Sequence, residues 1–590
     1  MSGIGGFCSV HQNNSTLVWR DVGSQMGLAL GADNGEYKGL WQNDHCLLVR
    51  RGVEDGQPLT QRWNGVEYAL VWEGQLFDLP QLCRQVRESG MPLEGEQTGR
   101  ALLWALIAWG EGALCRLEGE FSLAFWDGGG RRLLCARDKL GRKPLCWAWR
   151  KDTFVFASRP SALFSYPELT PALGREGICH LLGLGPVRGP GVGLFRGVEE
   201  LPGGCCLTVD DQGSCQHRYW SLEGRLHQQD YRETAAQVGE LIRRSVEARL
   251  TGEEQVLLSG GVASSLLTGL AACAYTDSGR PPLQAVTFHC PAQSGDGSRL
   301  NAITYGQTVA QAFHVRHREV EWDLTALPAR MEQVQLVRDV PGLGCGDAAL
   351  LYACQELGRG KRVLSGGGAQ VIFENLPWSE GWEGAVPTFP RCPSLEKRRC
   401  VFRAEVWHAL EVESYVQEQL QNTLDGCPVL EGEPEWERRR RQAAWLALTW
   451  WLPAVMEQAE AMKQAVGVEV ELPLCDSALV EYTWNIPHSM KMLNGHPQQL
   501  LWDAAEGLLP PPGRPPRRKK PGNCDGLYRQ LVRSRLAALL DDPTAPIHDL
   551  VDGPALQSSW LAGGWELEQL ELMAYLLQLN TWMARFGLRA

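Results

Sequence analysis

Residues 253–267, EEQVLLSGGVASSLL, form the stretch of this chain that is best suited to chemistry. An apolar run ends there at a turn rich in serine and glycine, made by Ser259, Gly260, Gly261, Ser264 and Ser265. The pattern predicts a buried strand, a tight turn and a helix N-terminus, where free backbone N–H groups and the helix dipole attract an anion. Glycines let the backbone approach a phosphate and serine hydroxyls add donors, so the turn suits a pyrophosphate. An ordinary serine-capped turn is the alternative.

The elements that must position this turn follow an amphipathic helix predicted over Tyr231–Leu250. After it, strand and helix patterns alternate. The segments QVLL, LQAVTF, VRHREVEW and KRVLSGGG are interpreted as strands, with helices at 264–275, 302–313 and 347–358. This alternation predicts a parallel sheet with helices on both faces and a ligand site at the carboxyl ends of its strands. Residues 401–590 are predicted to be mainly helical, and the proline-rich basic stretch 510–523 to be irregular.

The first 165 residues have a different pattern. Short alternating apolar runs separated by glycine predict an antiparallel β-rich region, as in CLLVRRG, YALVWEG, FSLAFWDGG, RLLCARD and TFVFASR. One helix is predicted within it, over Gly99–Trp109. Residues 166–230 are rich in glycine and proline and are interpreted as a connecting segment. We therefore expect one domain over residues 1–215 and another over 230–590.

Composition excludes several classes of protein. The 590 residues are 44% hydrophobic and 21% charged, which is typical of a globular protein with more than one domain. A net charge of −12 argues against a nucleic-acid partner, which would need a clustered basic face. The N-terminus lacks a basic segment followed by a long apolar one, and no apolar run reaches roughly 18 residues, so we expect no signal peptide and no membrane span.

The cysteines and histidines predict no metal site. Nineteen cysteines are scattered without a CxxC pair, which indicates reduced thiols and a cytoplasmic protein. His314 and His317 have no accompanying cluster of ligands, so we expect no zinc there.

Several motifs, in the right order, resemble those of glutamine-dependent asparagine synthetases. They are MxGIxGF at the N-terminus, then ARDKLGRKPL, FASRPSAL, VLLSGGxxSS, LSGGGAxxxF and VGVEVELPLCDSALVEY. The resemblance covers nearly the whole chain. It implies a fold of the α/β with α+β class, in which an Ntn-hydrolase-like β-sandwich of the class II glutamine amidotransferase type precedes a parallel-sheet ATP-pyrophosphatase domain (PP-loop, adenine nucleotide α-hydrolase-like). In that family the first domain releases ammonia from glutamine. The second activates aspartate as its adenylate, which ammonia attacks.

The glutaminase step requires, by this resemblance, a nucleophile at residue 2 whose own α-amino group acts as base. The family has cysteine there, and this chain has Ser2. Arg50 or Arg51 is the candidate for the arginine that binds the carboxylate of glutamine. The family's Asn-Gly-Glu triplet is replaced by Glu73, Gly74 and Gln75. We therefore expect a first domain that no longer hydrolyses glutamine.

The adenylation step requires metal-linked carboxylates that neutralise pyrophosphate. Ala263 stands where the family has the aspartate of SGGxDSS. The acids of the family's SGEGADE are replaced in LSGGGAQV by Gly367, Gln370 and Val371. Glu471 replaces an arginine, which we interpret as a substrate-binding charge of reversed sign. These replacements argue against Mg²⁺ binding.

The walls of the implied nucleotide site remain. Ser365 and Gly366 are expected to add donors to those of the first turn. Leu257 and Phe288 are candidate contacts for an adenine ring. Lys519 or Lys520 corresponds to a lysine that faces the phosphates in the family, with a solvated loop as the alternative. ATP is therefore a candidate cofactor.

Three hypotheses about function remain open. The first is an asparagine-synthetase-like pseudoenzyme that has lost glutaminase and much or all adenylation activity and acts in nucleotide binding, scaffolding or regulation. The second is an active ATP-dependent amide-forming ligase with unusual site residues, either an asparagine synthetase or a protein similar to β-lactam synthetases and lasso-peptide cyclases. The third is a homodimer, or a complex with an active paralogue or pathway enzyme.

Overall fold

The computed structural model of the chain describes residues 3–10, 16–31, 39–52, 58–289, 297–374, 388–389, 395–496, 498–511, 525–557 and 567–589. The chain divides into two compact units. The first consists of Met1–Leu181, Gly189–Ser221 and Phe586–Ala590, and the second of Leu182–Arg188 and Leu222–Arg585. No helix in the described ranges is long and apolar enough to cross a membrane.

The first unit is built on two six-stranded antiparallel sheets. Its strands are β1 (Gly3–Ser9), β2 (Gly39–Gln42), β3 (Cys46–Arg51), β4 (Leu59–Trp63), β5 (Val66–Phe77), β6 (Glu118–Asp127), β7 (Arg132–Arg137), β8 (Cys146–Arg150), β9 (Thr153–Ala157), β10 (Glu199–Glu200), β11 (Cys205–Asp210) and β12 (Gly213–Arg218). Their order is β10-β8-β9-β1-β3-β2 in one sheet and β12-β11-β7-β6-β5-β4 in the other. The helices of this part of the chain are α1 (Thr16–Ala29), α2 (Leu79–Glu88), α3 (Thr98–Trp109), α4 (Pro160–Leu163) and α5 (Arg175–Gly183).

Each sheet buries apolar side chains, and the two sheets share one core. Ile4 and Phe156 from one sheet join Trp126 and Leu207 from the other in that core. The second sheet buries its opposite face as well, where Phe121 packs with residues of α2 and α3. Alternate residues of a strand point to opposite faces, which is why strands buried on both sides are apolar almost throughout. The first unit is therefore a β-sandwich flanked by helices.

The second unit contains a five-stranded parallel sheet. Its strands are β13 (Glu254–Leu257), β14 (Gln284–His289), β15 (Arg316–Glu321), β16 (Arg362–Leu364) and β17 (Glu469–Glu471), in the order β15-β14-β13-β16-β17. Among the described residues, its helices are α6 (Tyr231–Glu247), α7 (Val262–Asp277), α8 (Gly297–Ala312), α9 (Leu327–Val337), α10 (Cys345–Leu357), α11 (Ala369–Ile372), α12 (Leu395–Arg399), α13 (Ala404–Ala409), α14 (Val412–Asp425), α15 (Glu435–Leu446), α16 (Leu452–Val466), α17 (Ser477–Trp484), α18 (His488–Lys491), α19 (Gln499–Asp503), α20 (Asp525–Asp541), α21 (Gly553–Ala555) and α22 (Leu567–Phe586).

Strand order brings the two glycine-rich turns of the sequence together. β13 lies between β14 and β16, and Val256 pairs with Ala285 on one side and Leu364 on the other. The turns after β13 and β16 therefore leave the same edge of the sheet from adjacent strands. Along the chain, strands are added first on one side of β13 and then on the other. In a doubly wound sheet, this reversal of strand order opens a crevice for a ligand.

Most of the predicted elements are confirmed, and two predictions are wrong. The segment 166–230 is not a simple connection, because α5 and strands β10 to β12 lie within it. The first 165 residues contain α1, α2 and α4 as well as the predicted helix, which is observed as α3. Residues 401–590 are mainly helical, as predicted, and they also contribute β17, which pairs with β16. These elements are too short or too weakly periodic to be recognised from apolar spacing alone.

Candidate functional site

The turn after β13 is held by its own serines. Ser264 Oγ donates to the carbonyl oxygen of Gly261 at 3.0 Å and accepts a hydrogen bond from the backbone N–H of Ser259 at 3.1 Å. Ser259 Oγ lies 3.0 Å from the same hydroxyl. Ser264 is buried and Ser259 is exposed, so the inner hydroxyl stabilises the turn while the outer one faces solvent.

Gly260 is required by the geometry of this turn. Its φ is +74°, and a Cβ at this position would lie 1.8 Å from the carbonyl oxygen of Ala302. Any other residue would clash with backbone as well as adopt a strained conformation. The close approach explains why the sequence has glycine here.

The N-terminus of α7 has donors that the fold does not use. Gly261 is the N-cap residue and supplies no side-chain cap, so the first-turn N–H groups point out of the helix without a side-chain acceptor. Ser265 Oγ is fully buried and has no hydrogen-bond partner among the described residues. A buried hydroxyl without a partner is costly, and a bound anion at this helix end would satisfy such donors.

The second glycine turn lies directly against the first. A Cβ on Gly366 would lie 3.1 Å from Cβ of Ala263 and 3.2 Å from the nitrogen of Ser264. Ser365 Oγ accepts a hydrogen bond from the N–H of Gly367 at 3.2 Å. The two turns therefore form one surface of hydroxyl and amide donors.

The positions that carry acids in the family have none in this surface. Ala263 is half-buried beside Gly366, Gln370 is half-buried in α11, and Val371 is buried in the same helix. A Cβ on Gly367 would lie 3.0 Å from Cδ2 of Leu472. Leu472 therefore limits the space for a side chain at position 367. Among the described residues, no group of three or more His, Cys, Asp and Glu side chains could hold a metal ion. The two turns therefore offer hydrogen-bond donors that suit a phosphate, and the family's acid positions in them offer no carboxylate oxygen to a cation.

The candidate adenine contacts lie at the same edge of the sheet. Leu257 ends β13 and Phe288 is near the end of β14, and both are half-buried. The Phe288 ring is 5.0 Å from that of Trp322 and 6.3 Å from that of Tyr352, an aromatic cluster that the sequence analysis did not predict. Lys519 and Lys520 lie outside the described residues.

Glu471 was interpreted from the sequence as a substrate-binding charge of reversed sign. In the structure its carboxylate contacts arginines of the protein instead. Its side chain is buried, and Oε1 accepts a hydrogen bond from Arg362 Nη2 at 2.5 Å. Oε2 lies 3.8 Å from Nε of the fully buried Arg249. Glu471 therefore neutralises arginines of the protein itself, and a single sequence position could not reveal those partners.

A buried charge cluster near the second turn was not anticipated. Glu374, which follows α11, accepts from Lys491 Nζ and contacts His488 Nδ1 at 2.6 Å. Burial raises the pKa of Glu374, but Lys491 and His488 outweigh it and lower the pKa to about 2. Glu374 is more than 110 positions from both His488 and Lys491 in the chain, so no sequence motif joins it to them.

In the first unit, the candidate glutamine pocket contains an ion pair. Glu73 Oε2 lies 3.6 Å from Arg50 Nη1, and both side chains are buried. Glu73 Oε1 accepts hydrogen bonds from Ser158 Oγ at 2.8 Å and Ser122 Oγ at 3.4 Å. Arg50 pairs with Ile4 across β1 and β3, so the ion pair lies beside the start of β1. Ser2 lies outside the described residues.

The remaining pocket positions are held by backbone contacts. Arg51 Nη1 donates to the carbonyl oxygens of Gly27 at 3.2 Å and Leu28 at 2.9 Å, which gives it a structural role at α1. Gly74 has φ +124°, and a Cβ there would lie 1.9 Å from the carbonyl oxygen of Glu120. Gln75 pairs with Glu120 in the ladder between β5 and β6.

Comparisons with known proteins agree with this architecture. The Asparagine synthase family profile matches residues 237–584, and the Glutamine amidotransferase domain profile matches residues 1–220. The chain is 29% identical over 581 residues to glutamine-hydrolyzing asparagine synthetase 3 of Bacillus subtilis, covering 93% of each chain. It is 24% identical over 503 residues to a putative asparagine synthetase of Mycobacterium tuberculosis, covering 77% of this chain and 75% of the relative. A glutamine phosphoribosylpyrophosphate amidotransferase from B. subtilis is similar with a TM-score of 0.27 and 14% identity, over 54% of this chain and 65% of that chain.

A class II glutamine amidotransferase sandwich followed in one chain by a parallel-sheet PP-loop domain defines the class of this protein. Within that class, the chain belongs to the asparagine synthase family.

Proposed function

We propose that this chain is an asparagine-synthetase-like pseudoenzyme that binds a nucleotide through its phosphates and does not amidate aspartate. The observation that carries the proposal is the contact between the two glycine turns, in which the Cβ position of Gly366 lies 3.1 Å from Ala263 Cβ. That surface has serine hydroxyls and free amides but no carboxylate from the family motifs. It suits a phosphate chain, whereas adenylation needs a metal ion to neutralise the leaving pyrophosphate.

The phosphate contacts would come from the N-terminus of α7 and the two serines that remain accessible or unpartnered. Ser259 Oγ and Ser265 Oγ would donate to phosphate oxygens, and the Gly261 turn would bring the backbone close to them. Leu257 and Phe288 would contact an adenine ring. In the family reaction, ATP activates a carboxylate as its adenylate. In this chain, the residues just named would bind and orient the nucleotide without that reaction.

Loss of the glutaminase step is supported by the Arg50–Glu73 ion pair. A substrate carboxylate would have to displace a carboxylate that is already buried against Arg50 and hydrogen-bonded to Ser158. Breaking a buried, hydrogen-bonded ion pair is costly because the charges lose each other and regain little solvation. We infer that glutamine does not bind here.

A cytoplasmic location is part of the proposal. The sixteen cysteines in the described part of the chain are all free, and most of them are buried in apolar surroundings. Free thiols in this number suit a reducing compartment. Association as a homodimer or with an active paralogue also remains a proposal, which mass measurement of the complex purified from its native cells would test.

Calorimetry of ATP and ADP, with Mg²⁺ and with EDTA, tests the proposed function. We expect ATP to bind equally well in both conditions, and we expect no exchange of labelled pyrophosphate into ATP in the presence of aspartate. Ser259→Ala should weaken binding several-fold because it removes an exposed donor from the turn. Ser278→Ala, at the other end of α7, is the matched control and should leave affinity unchanged.

Two results would overturn the proposal. Pyrophosphate exchange that requires Mg²⁺ and aspartate would mean that catalysis persists. Failure of both nucleotides to bind the folded protein would mean that the surface is structural only.

A further inference from the structure

The edge strand of the second sheet of the first unit carries a cysteine and a histidine on one face. Cys215 and His217 are two residues apart on β12, so their side chains project from the same side. β12 is the outermost strand of its sheet, paired only with β11, and both residues are exposed. A thiol and an imidazole are therefore presented together to solvent.

Distances connect these two residues to a carboxylate. Cys215 Sγ lies 3.1 Å from His217 Nε2, and His217 Nδ1 lies 3.2 Å from Glu111 Oε2. The other oxygen, Glu111 Oε1, accepts a hydrogen bond of 2.6 Å from Thr208 Oγ1. Thr208 pairs with Cys215 across the β11–β12 ladder. The Glu111 carboxylate is therefore held beside the strand that carries the thiol.

The carboxylate determines which imidazole nitrogen carries the proton. An ionised Glu111 can only accept, so His217 Nδ1 donates to it and Nε2 presents a lone pair to the thiol. Partial burial raises the pKa of Glu111, but hydrogen bonds from Thr208 and His217 outweigh it and lower the pKa. Glu111 is therefore ionised at neutral pH and accepts the hydrogen bond of His217 Nδ1.

The other titratable and charged groups around this cluster do not replace these roles. Arg132 acts electrostatically on Glu111 and also favours its ionised form. Burial, followed by Glu111, raises the pKa of the buried Cys206 to about 12, so that residue remains a thiol. Cys115 is exposed but donates to the backbone oxygen of Tyr219 at 3.7 Å.

We infer that Cys215 is a reactive thiol, activated by His217 and positioned by Glu111, that forms mixed disulfides with low-molecular-weight disulfides. A cysteine paired with a histidine whose far nitrogen is held by an acid has the arrangement that activates thiol nucleophiles. Cys215 and His217 lie on the edge strand β12 of the first unit, and Glu111 lies in the 3-10 turn that follows α3.

The chemistry balances without any further reactant. His217 Nε2 takes the proton from Cys215 Sγ, and the thiolate attacks one sulfur of the disulfide. A new S–S bond forms at Cys215 while the S–S bond of the reagent breaks. The departing thiolate takes the proton from His217, so that one protein thiol and one disulfide become one mixed disulfide and one free thiol.

Oxidised glutathione, applied to the full-length reduced protein, is the direct test. Peptide mapping by mass spectrometry over time should give a rate of adduct formation at Cys215 at least about tenfold higher than at Cys115 near neutral pH. Cys115 is an internal reference in the same molecule and needs no variant. Cys215→Ser should remove the fast adduct, and Cys115→Ser should leave it unchanged.

Variants separate activation from simple exposure. His217→Asn should reduce the rate at Cys215 to that of Cys115, and Glu111→Gln should reduce it partially. Iodoacetamide alkylation of the wild type from about pH 6 to about pH 8.5 should remain fast at Cys215 at the acidic end, whereas Cys115 slows steeply. A merely structural His217 would not change that pH profile when it is replaced.

The inference is overturned if Cys215 and Cys115 react at equal rates in the wild type. It is also overturned if His217→Asn, shown to be folded by circular dichroism, reacts at the wild-type rate with an unchanged pH profile.

Discussion

At the scale of single residues, three acids of this chain are neutralised by basic side chains of the protein. Glu73 is paired with Arg50, Glu471 with Arg362, and Glu374 with Lys491. Each acid is at least nine-tenths buried. Such pairs stabilise the fold because a buried carboxylate without a partner is costly.

The Arg50–Glu73 pair provides the first prediction. Glu73→Ala should destabilise the first unit by about 3–5 kcal/mol because it leaves the buried Arg50 guanidinium without its carboxylate. Denaturation followed by hydrogen exchange of peptides from β1 to β5 would measure this. Glu67→Gln, at an exposed position of the same strand, is the control and should change stability by less than about 0.5 kcal/mol. An equally small change for Glu73→Ala would contradict the importance of the pair.

The Glu374 cluster provides a prediction about pH. The pKa of Glu374 in the folded protein is lowered from 4.5 to about 2, so its stabilising contribution is present above pH 4.5 and is lost as pH falls towards about 2. The difference in unfolding free energy between wild type and Glu374→Gln should therefore shrink across this window. Glu253→Gln, at an exposed site, should show no such trend. A difference that stays constant down to pH 2 would disprove the assignment.

At the scale of elements, the strand–turn–helix unit of β13 and α7 determines where a ligand could bind. The turn is stabilised by Ser264, shaped by Gly260, and packed against the turn that follows β16. Its backbone conformation depends on these contacts and does not require the missing acid at position 263. The turn can therefore keep this shape with alanine at position 263.

Gly260 and Gly279 both have positive φ. Comparing their alanine variants therefore separates the cost of backbone strain from the cost of a steric clash. Gly260→Ala should destabilise the second unit by more than about 4 kcal/mol and abolish nucleotide binding, because its Cβ would overlap the Ala302 carbonyl. Gly279→Ala, at the end of α7, has φ +65° and no atom within 4 Å of its Cβ position, so it should cost only about 1–2 kcal/mol. Thermal unfolding with and without ATP would compare them. Equal costs for the two variants would refute the steric argument.

At the scale of the whole molecule, the replaced family positions lie in both units. The first has Glu73, paired with Arg50, at the start of the replaced triplet, and the second has Ala263 and Gln370 where the family motifs have acids. Replacements in two separate units are the reason for proposing a pseudoenzyme that binds a nucleotide without amidating aspartate.

Introducing acidic side chains at the replaced family positions tests whether these positions alone determine Mg²⁺-dependent binding and asparagine formation. Ala263→Asp combined with Gln370→Asp should make ATP binding dependent on Mg²⁺, since two carboxylates would again face the phosphate surface. Asparagine should still not form from aspartate and ammonium, because Gly367 lacks its acid and Leu472 narrows that position. Calorimetry and amino-acid analysis would measure the two effects. Asparagine formation by the double variant would show that only these acids were missing.

The sequence by itself determined the two-part architecture, the strands and helices around the first glycine turn, and the positions where family acids are absent. Those features depend on local patterns: apolar periodicity defines the strands β3, β5 and β13, and glycine and serine define the turn. The short strands β10 and β17 and the strand β11 were missed, and each pairs with a strand that is distant in the chain.

Tertiary structure alone decided which charges meet. Arg50 and Glu73, Glu374 and Lys491, and Cys215, His217 and Glu111 come together through strand pairing and packing between residues that are mostly far apart in sequence. The environment of a charged or nucleophilic side chain depends on distance and burial, which no single sequence encodes locally. The turn at Ser259 could therefore be located from the sequence. Which acids, cations and thiols of the chain contact one another could be seen only in the folded structure.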